Sequence, residues 1–322
     1  MKLLGQYKNG NYTTRIFSDG TKVRITNDDE FIPEFAENMD VKITDKCSQG
    51  CAFCYEGCTV HGRHAKLMKG DGTPAQKWME DLKPYTELAI NGNDMDHPEL
   101  VSFLKYMKSK KVITNITVNQ NQFEKSYGYI LDLYNKKLIH GVGVSLINPT
   151  DYFIVQAKAI PTIVIHTIAG VLSKEQLDKM SNHDLKLLIL GYKDLRRGSK
   201  YLEEHGSEIN ENINMLASSL ENVTSSFKVV SFDNLALEQL SVKENLFKDK
   251  PEEWDTFYMG DDGTATMYVD LVTEMCARTS TSTERYPLED TIEQMFAKVP
   301  YRGQGKCYDG SAVKPRRKKI PT

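Results

Sequence analysis

Three cysteines crowd together in the run Thr44-Asp45-Lys46-Cys47-Ser48-Gln49-Gly50-Cys51-Ala52-Phe53-Cys54-Tyr55. Cys47, Cys51 and Cys54 are spaced by four and three residues, and Gly50 lets the backbone between them turn tightly, so their sulfurs can converge on one centre. An iron–sulfur cluster held by three thiolates keeps one iron open to bind a substrate or cofactor, whereas a cluster with four cysteine ligands mainly passes electrons. The alternative is a zinc site with Cys58, His61 or His64 as the fourth ligand. Zinc sites are usually built from separated C-x₂-C pairs, which this compact triple does not match.

The rest of the chain must place that loop. It has 322 residues, of which 40% are hydrophobic and 26% charged, a balance that supports a full core and excludes disorder. The net charge of -3 gives no general attraction to nucleic acid or anionic membrane. The one basic cluster, KPRRKK at 314–319, is expected to be a solvated tail. No apolar run approaches the roughly 18 residues of a membrane span, and the opening MKLLGQYKNG turns polar too soon for a signal peptide. A cytoplasmic location is therefore expected. Six cysteines are too few for a disulfide scaffold, and three clustered in a reducing compartment point to metal or redox chemistry.

Asn9-Gly10 and Asp19-Gly20 separate short alternating runs, which predicts an antiparallel meander over 1–36. From Met39 onward, apolar strands alternate with amphipathic segments of helix length, the pattern of parallel β/α units. Strands are predicted at 39–44, 87–91, 113–119, 141–146, 161–167 and 185–190, with helices at 74–82, 98–108, 123–137, 150–158 and 173–180. Six units are too few for an eight-fold closed barrel. The expected fold is an α/β partial (β/α)6 TIM-like barrel core over 37–200, with its active face at the strand C-termini. A C-terminal α+β substrate-side extension over 201–310 should contain a helix at 207–220, a strand at FKVVSF, a helix at 290–299 and a hairpin of WDTFYMG with TATMYVDL around Asp261-Asp262-Gly263. The basic tail occupies 311–322.

Cys47-x₃-Cys51-x₂-Cys54 followed by an aromatic residue, at the end of the first strand of a β/α repeat, resembles the signature of the radical S-adenosylmethionine superfamily. The resemblance spans roughly 39–198 and implies that the three cysteines ligate a [4Fe-4S] cluster whose fourth iron is chelated by S-adenosylmethionine. Electron transfer from the cluster would then give methionine and a 5′-deoxyadenosyl radical that abstracts hydrogen from substrate. The family position implies that Phe53 or Tyr55 lies against the adenine. Asn91, Gly92 and Asn93 occupy the family's Gly-Gly-Glu positions and Asp94 its proline, a departure that leaves an uncharged acceptor for the cofactor's amino group. The ends of the fourth and fifth strands imply that Ser145 and His166 contact the carboxylate and ribose; a histidine on an apolar strand can equally be a satisfied core residue. Leu190-Gly191-Tyr192-Lys193 is similar to the adenine-contacting turn, followed by Arg196 and Arg197.

Cys276 is the candidate for a pocket thiol that donates a hydrogen atom, the other reading being a small buried apolar residue. Cys58 and Cys307 have no assigned role, and an auxiliary cluster is not expected. The resemblance also implies an electron donor such as flavodoxin or ferredoxin. A peptide or protein side chain is the first expectation for the substrate, because Trp254, Phe257, Tyr258 and Tyr268 could hold one. A nucleotide or tRNA is the second, resting on the basic tail alone, and a non-catalytic zinc-stabilised binding protein is the rival from another class.

Overall fold

A computed structural model describes residues 2–18, 20–91, 95–258 and 260–299. Gly92, Asn93, Cys307 and the basic tail lie outside the described residues. The chain opens with a three-stranded antiparallel meander, β1 (Leu3–Asn9), β2 (Tyr12–Phe17) and β3 (Lys22–Ile25), in the order β1-β2-β3. Gly10 has φ +56 at the first turn, a left-handed conformation glycine adopts at little cost.

A β/α succession follows: β4 (Asn38–Lys42), β5 (Glu87–Asn91), α1 (Leu100–Ser109), β6 (Ile113–Asn119), α2 (Gln120–Lys125), α3 (Tyr127–Asn135), β7 (Gly141–Ser145), α4 (Asp151–Ala159), β8 (Ile163–Ile168), α5 (Lys174–Met180), β9 (Lys186–Leu190) and α6 (Arg197–Ser218). The C-terminal part adds α7 (Leu220–Ser226), β10 (Val229–Phe232), α8 (Asn234–Gln239), α9 (Val242–Leu246), α10 (Pro251–Phe257), β11 (Thr266–Asp270), β12 (Met275–Ala277), β13 (Tyr286–Pro287) and α11 (Ile292–Phe296).

The large sheet runs β10-β9-β8-β7-β6-β5-β4-β11-β12-β13. Strands β4 to β10 are parallel in sequence order, and β11 joins them parallel to β4. The fold is thus mixed α/β with a large parallel sheet, and four strands beyond the six expected extend it, β10 and β11 parallel and β12 and β13 antiparallel. The sheet is open, with β10 at one edge and β13 at the other.

Local signals explain most elements. Leu100, Phe103, Leu104 and Met107 give α1 one buried face. Thr150 caps α4, and capping boxes at Ser173/Gln176 and Thr291/Gln294 start α5 and α11. Two expected helices are shorter. Residues 74–82 form only a 3₁₀ turn, Lys77–Glu80, and the expected helix at 123–137 is broken at Ser126, whose φ of -108 and ψ of 17 are non-helical.

The expected hairpin around Asp261-Asp262-Gly263 is not formed. Pro251 at N1 with Glu252 and Glu253 in the first turn starts a helix, Trp254 and Phe257 pack on Phe247, and Tyr258 at the C-cap stacks on Trp254. β11 pairs instead with β4 and β12.

The inner and outer faces of the sheet differ in chemistry. Met39, Val41, Val118 and Val144 point outward and are buried in the core. The alternate residues Asn38, Asp40, Lys42, Asn115, Thr117 and Asn119 point inward and line a cavity of about 2740 Å³. The curved sheet therefore encloses a polar lumen and not a packed centre.

Candidate functional site: the cysteine loop and the lumen mouth

β4 delivers the chain into a loop braced by its own backbone. Cys47 N donates to Thr59 O at 2.8 Å, Thr59 N to Asp45 O at 3.0 Å and Ala65 N to Ile43 O at 2.9 Å. Gly62 is required there, since a Cβ would stand 2.1 Å from Asp45 O. Within the loop Cys54 N donates to Cys51 O at 3.2 Å, and Gly50 turns the chain at φ +61. Cys47, Cys51 and Cys54 are all partly buried and all line the lumen.

Burial pushes the Cys51 thiol up, and the neighbouring Cys54 and Cys47 add to the rise. A hydrogen bond from the Cys58 thiol draws Cys54 down, helped by the N–H groups of Cys58 and Gly57 and by Arg197. Among the described residues no group of three or more His, Cys, Asp or Glu side chains closes on one ion position. A cubane is wider than a single ion and takes its thiolates further apart. His61 is exposed, and His64 packs edge-on against His97 with ring centroids 4.7 Å apart.

The strand ends bring several expected residues into one row. Asn119 pairs with Ser145 and Ser145 with His166, so β6, β7 and β8 present them side by side toward the lumen. Asn119 Oδ1 caps α2 through Gln122 N at 2.8 Å, while its buried Nδ2 has no hydrogen-bond partner. His166 lies over Gly143, where a Cβ would meet its ring at 2.4 Å, and burial pushes its imidazole down to about 4. Asn91 faces the lumen beside Lys42, its strand partner.

Phe53, Tyr55, Gly191 and Tyr192 meet at a small pocket completed by Ile168, Leu190 and Lys193. Lys193 Nζ stands 4.2 Å above the Tyr55 ring, and Phe53 packs edge-on against Tyr201. Gly191 serves a purpose the sequence does not announce, because a Cβ there would stand 2.4 Å from Leu235 on α8. The backbone of Gly191 and Tyr192 is already paired, with Asp233 and Gln239. Tyr192 itself is buried and donates to Gly198 O at 2.8 Å.

Cys276, expected as a hydrogen-donating pocket thiol, is placed differently. It is fully buried in the core, absent from the lumen wall, and its thiol faces Pro287 O. Burial pushes that thiol up to about 11. Of the four aromatics expected to hold substrate, Trp254 and Tyr258 line the cavity, whereas Tyr268 is buried beneath Arg285 and Phe257 packs on Phe232 and Phe247.

Other lumen residues escaped the sequence reading. Lys42 pairs with Glu56 at 3.0 Å and Asp270 at 3.8 Å. Burial in the lumen pushes Asp40 up to about 6; Lys193 opposes the rise, and Asp262, Glu56 and Asp233 add to it. Arg197 reaches the lumen with its buried Nε unpartnered. The signal for the inner face was present as polar residues at every second position in Asn38-Met39-Asp40-Val41-Lys42 and Asn115-Ile116-Thr117-Val118-Asn119.

Fold and site together define a mixed α/β protein with a large, mainly parallel sheet and three cysteines lining the cavity on its inner face. Solved structures of SuiB from Streptococcus suis share this fold. The one bound to S-adenosylmethionine has a TM-score of 0.51 at 16% identity over 80% of this chain and 64% of that chain. A second has a TM-score of 0.53 at 15% identity over 84% of this chain and 68% of that one. At these identities the likeness is one of fold, and the chain spans 64% of the first neighbour's length. No family model and no curated protein matches the chain. Among the described residues no helix is long and apolar enough to cross a membrane.

Proposed function

We propose that this chain is a radical S-adenosylmethionine enzyme acting on a peptide or protein side chain. The observation that carries the reading is the juxtaposition of three cysteines on one loop with a polar lumen whose mouth holds unpartnered buried donors. Buried donors without partners are rare, and a ligand is one of the few things that explains them.

The residues present fit both groups. Cys47, Cys51 and Cys54 would hold a [4Fe-4S] cluster, with the Arg197 guanidinium beside Cys51 and Cys54 offsetting its negative charge. Asn91, Asn119, Ser145 and His166 would hold the polar end of S-adenosylmethionine, and the pocket of Phe53, Tyr55 and Tyr192 its adenine side. When bound and reduced, the pair supplies a carbon-centred radical that abstracts hydrogen from substrate. The S-adenosylmethionine in the SuiB neighbour supports the cofactor assignment.

The chain's own contribution is placement and protection. His166 stays a neutral imidazole at physiological pH, so it offers hydrogen bonds without adding charge. Trp254 and Tyr258, stacked with centroids 5.2 Å apart at the lumen wall, give a flat apolar surface for a substrate side chain. An electron donor such as flavodoxin or ferredoxin would serve the loop from outside.

The test is anaerobic incubation of reconstituted protein with dithionite, S-adenosylmethionine and a library of short peptides, following 5′-deoxyadenosine and methionine. The reading predicts equal yields of both products, raised by a peptide substrate and absent after Cys51→Ala. Intact S-adenosylmethionine with a fully loaded, reduced protein would overturn it.

A further inference from the structure

The turn between β9 and α6 contains a strained arginine. Arg196 has φ 53 and ψ -120, a conformation glycine adopts freely but one that strains a residue with a Cβ. Such strain persists only where surrounding contacts over-determine it, and here those contacts all fall on the cysteine loop.

Arg196 Nη1 donates to Tyr55 O at 3.1 Å and to Glu56 O at 2.7 Å, so one guanidinium takes the carbonyls of both residues that follow Cys54. Its Nη1 also lies 3.7 Å from Glu56 Oε2. Gly57, at φ +69, lets the arginine stem lie close, since a Cβ there would stand 2.9 Å from Arg196 Cδ. Gly57 N in turn donates to Cys54 O at 3.3 Å, which ties this contact to the third cysteine. Gly198 is required by the turn itself, because a Cβ there would stand 2.4 Å from Lys193 O.

The other flank of the loop is held by the backbone bonds from Cys47 and Thr59. Without Arg196, the flank carrying Cys54 would keep the Lys42–Glu56 ion pair but lose the donor to the Tyr55 and Glu56 carbonyls. Resting on the reading that this loop carries a cluster, we propose that Arg196 is a positioning residue: it latches the loop onto the β9–α6 turn and so holds the three thiols at cluster spacing. Its side chain is about half exposed and touches none of the lumen, so it acts through Tyr55, Glu56 and Gly57 and not on a bound group directly.

The test compares wild type, Arg196→Gly and Arg196→Lys after anaerobic reconstitution with iron and sulfide. Iron per chain, iron release to a colorimetric chelator, the electron paramagnetic resonance of the reduced cluster and the thermal midpoint are measured. Glycine relieves the strained φ, so Arg196→Gly should melt no lower than wild type yet release iron about tenfold faster, with a broadened resonance. Lysine keeps the charge and the strained φ but its arm is one atom shorter than the reach to Nη1, so Arg196→Lys should fall between. A loaded wild type whose Arg196→Gly variant releases iron at the same rate overturns the latch alone. Faster release that only tracks a lower thermal midpoint does so as well. A wild type that takes up no iron overturns the latch and the cluster reading together.

Discussion

At the N-terminal end of the parallel sheet, Glu37 is fully buried and accepts hydrogen bonds from Tyr12 at 2.7 Å, Thr14 at 3.1 Å and Arg24 at 2.7 Å, with Lys22 3.6 Å away. At the C-terminal end, Glu56 Oε1 and Arg197 Nε are buried with no hydrogen-bond partner, and so is Asn119 Nδ2. Orphans elsewhere include the hydroxyls of Tyr7 and Thr162, the Trp78 indole N–H and the Gln156 amide oxygen; among the described residues Glu56 and Arg197 are the Asp, Glu, Lys or Arg side chains with such an atom. The two ends therefore have different tasks. The saturated network joins the meander to the sheet, whereas the unsaturated one carries a desolvation cost that a bound group can relieve.

The sharpest way to break this comparison is at Glu37. Removing it in Glu37→Ala leaves Arg24 partly buried without its partner and should cost about 3–5 kcal/mol in chemical denaturation, with cofactor binding by the folded protein unchanged. Burial alone would push Glu37 up, but the hydrogen bonds and charge of Arg24 outweigh it and hold the carboxyl below its ordinary range. A lowered folded-state pKa contributes stability above the unfolded value that is lost as pH falls through the folded one, so Glu37→Gln should flatten the acid limb of the stability curve. A neutral Glu37→Ala would remove the distinction between the ends.

At the mouth the expectation reverses. Asn119→Ser, which keeps a hydroxyl cap on α2, and Arg197→Gln remove the unpartnered donors, so stability should change by less than about 1 kcal/mol or rise, while affinity of the loaded protein for S-adenosylmethionine falls about tenfold. Equilibrium dialysis beside thermal melts checks both, and unchanged affinity with lost stability would make these residues structural.

A pH-dependent effect belongs to His166. Its imidazole is lowered from 6.5 to about 4, so between those values the unfolded chain binds more protons, and stability is lost as pH falls through that window. His166→Gln should abolish that part of the slope in melts from pH 4 to pH 7.

Much of the site could be read from sequence because the cysteine spacing and the glycine that bends it are local. The parallel strands were legible for the same reason: strand length and helix-starting residues recur along the chain. What escaped needed long-range placement. Arg196 follows the expected adenine-contacting turn in the sequence, and only the sheet brings it over a loop some 140 residues earlier. Asp40 and Lys42 sit on strands that read as apolar, although their period of two marks an inner polar face. β11 looked like half of a hairpin because the turn signal at Gly263 is strong, yet the packing of Trp254 and Phe257 on Phe247 outweighs it. Cys276 could not be assigned to core or pocket from its neighbours, and the pairing of Val269 with Cys276 on β12 turns its thiol into the core.

The central claim is that Cys47, Cys51 and Cys54 hold an iron–sulfur cluster with one iron left open. Metal and acid-labile sulfide analysis of anaerobically purified protein, with Mössbauer spectroscopy before and after S-adenosylmethionine, tests it most directly. The account predicts about four iron and four sulfide per chain and one iron site whose spectrum changes when S-adenosylmethionine is added. One zinc per chain, no sulfide and no response to S-adenosylmethionine would contradict it.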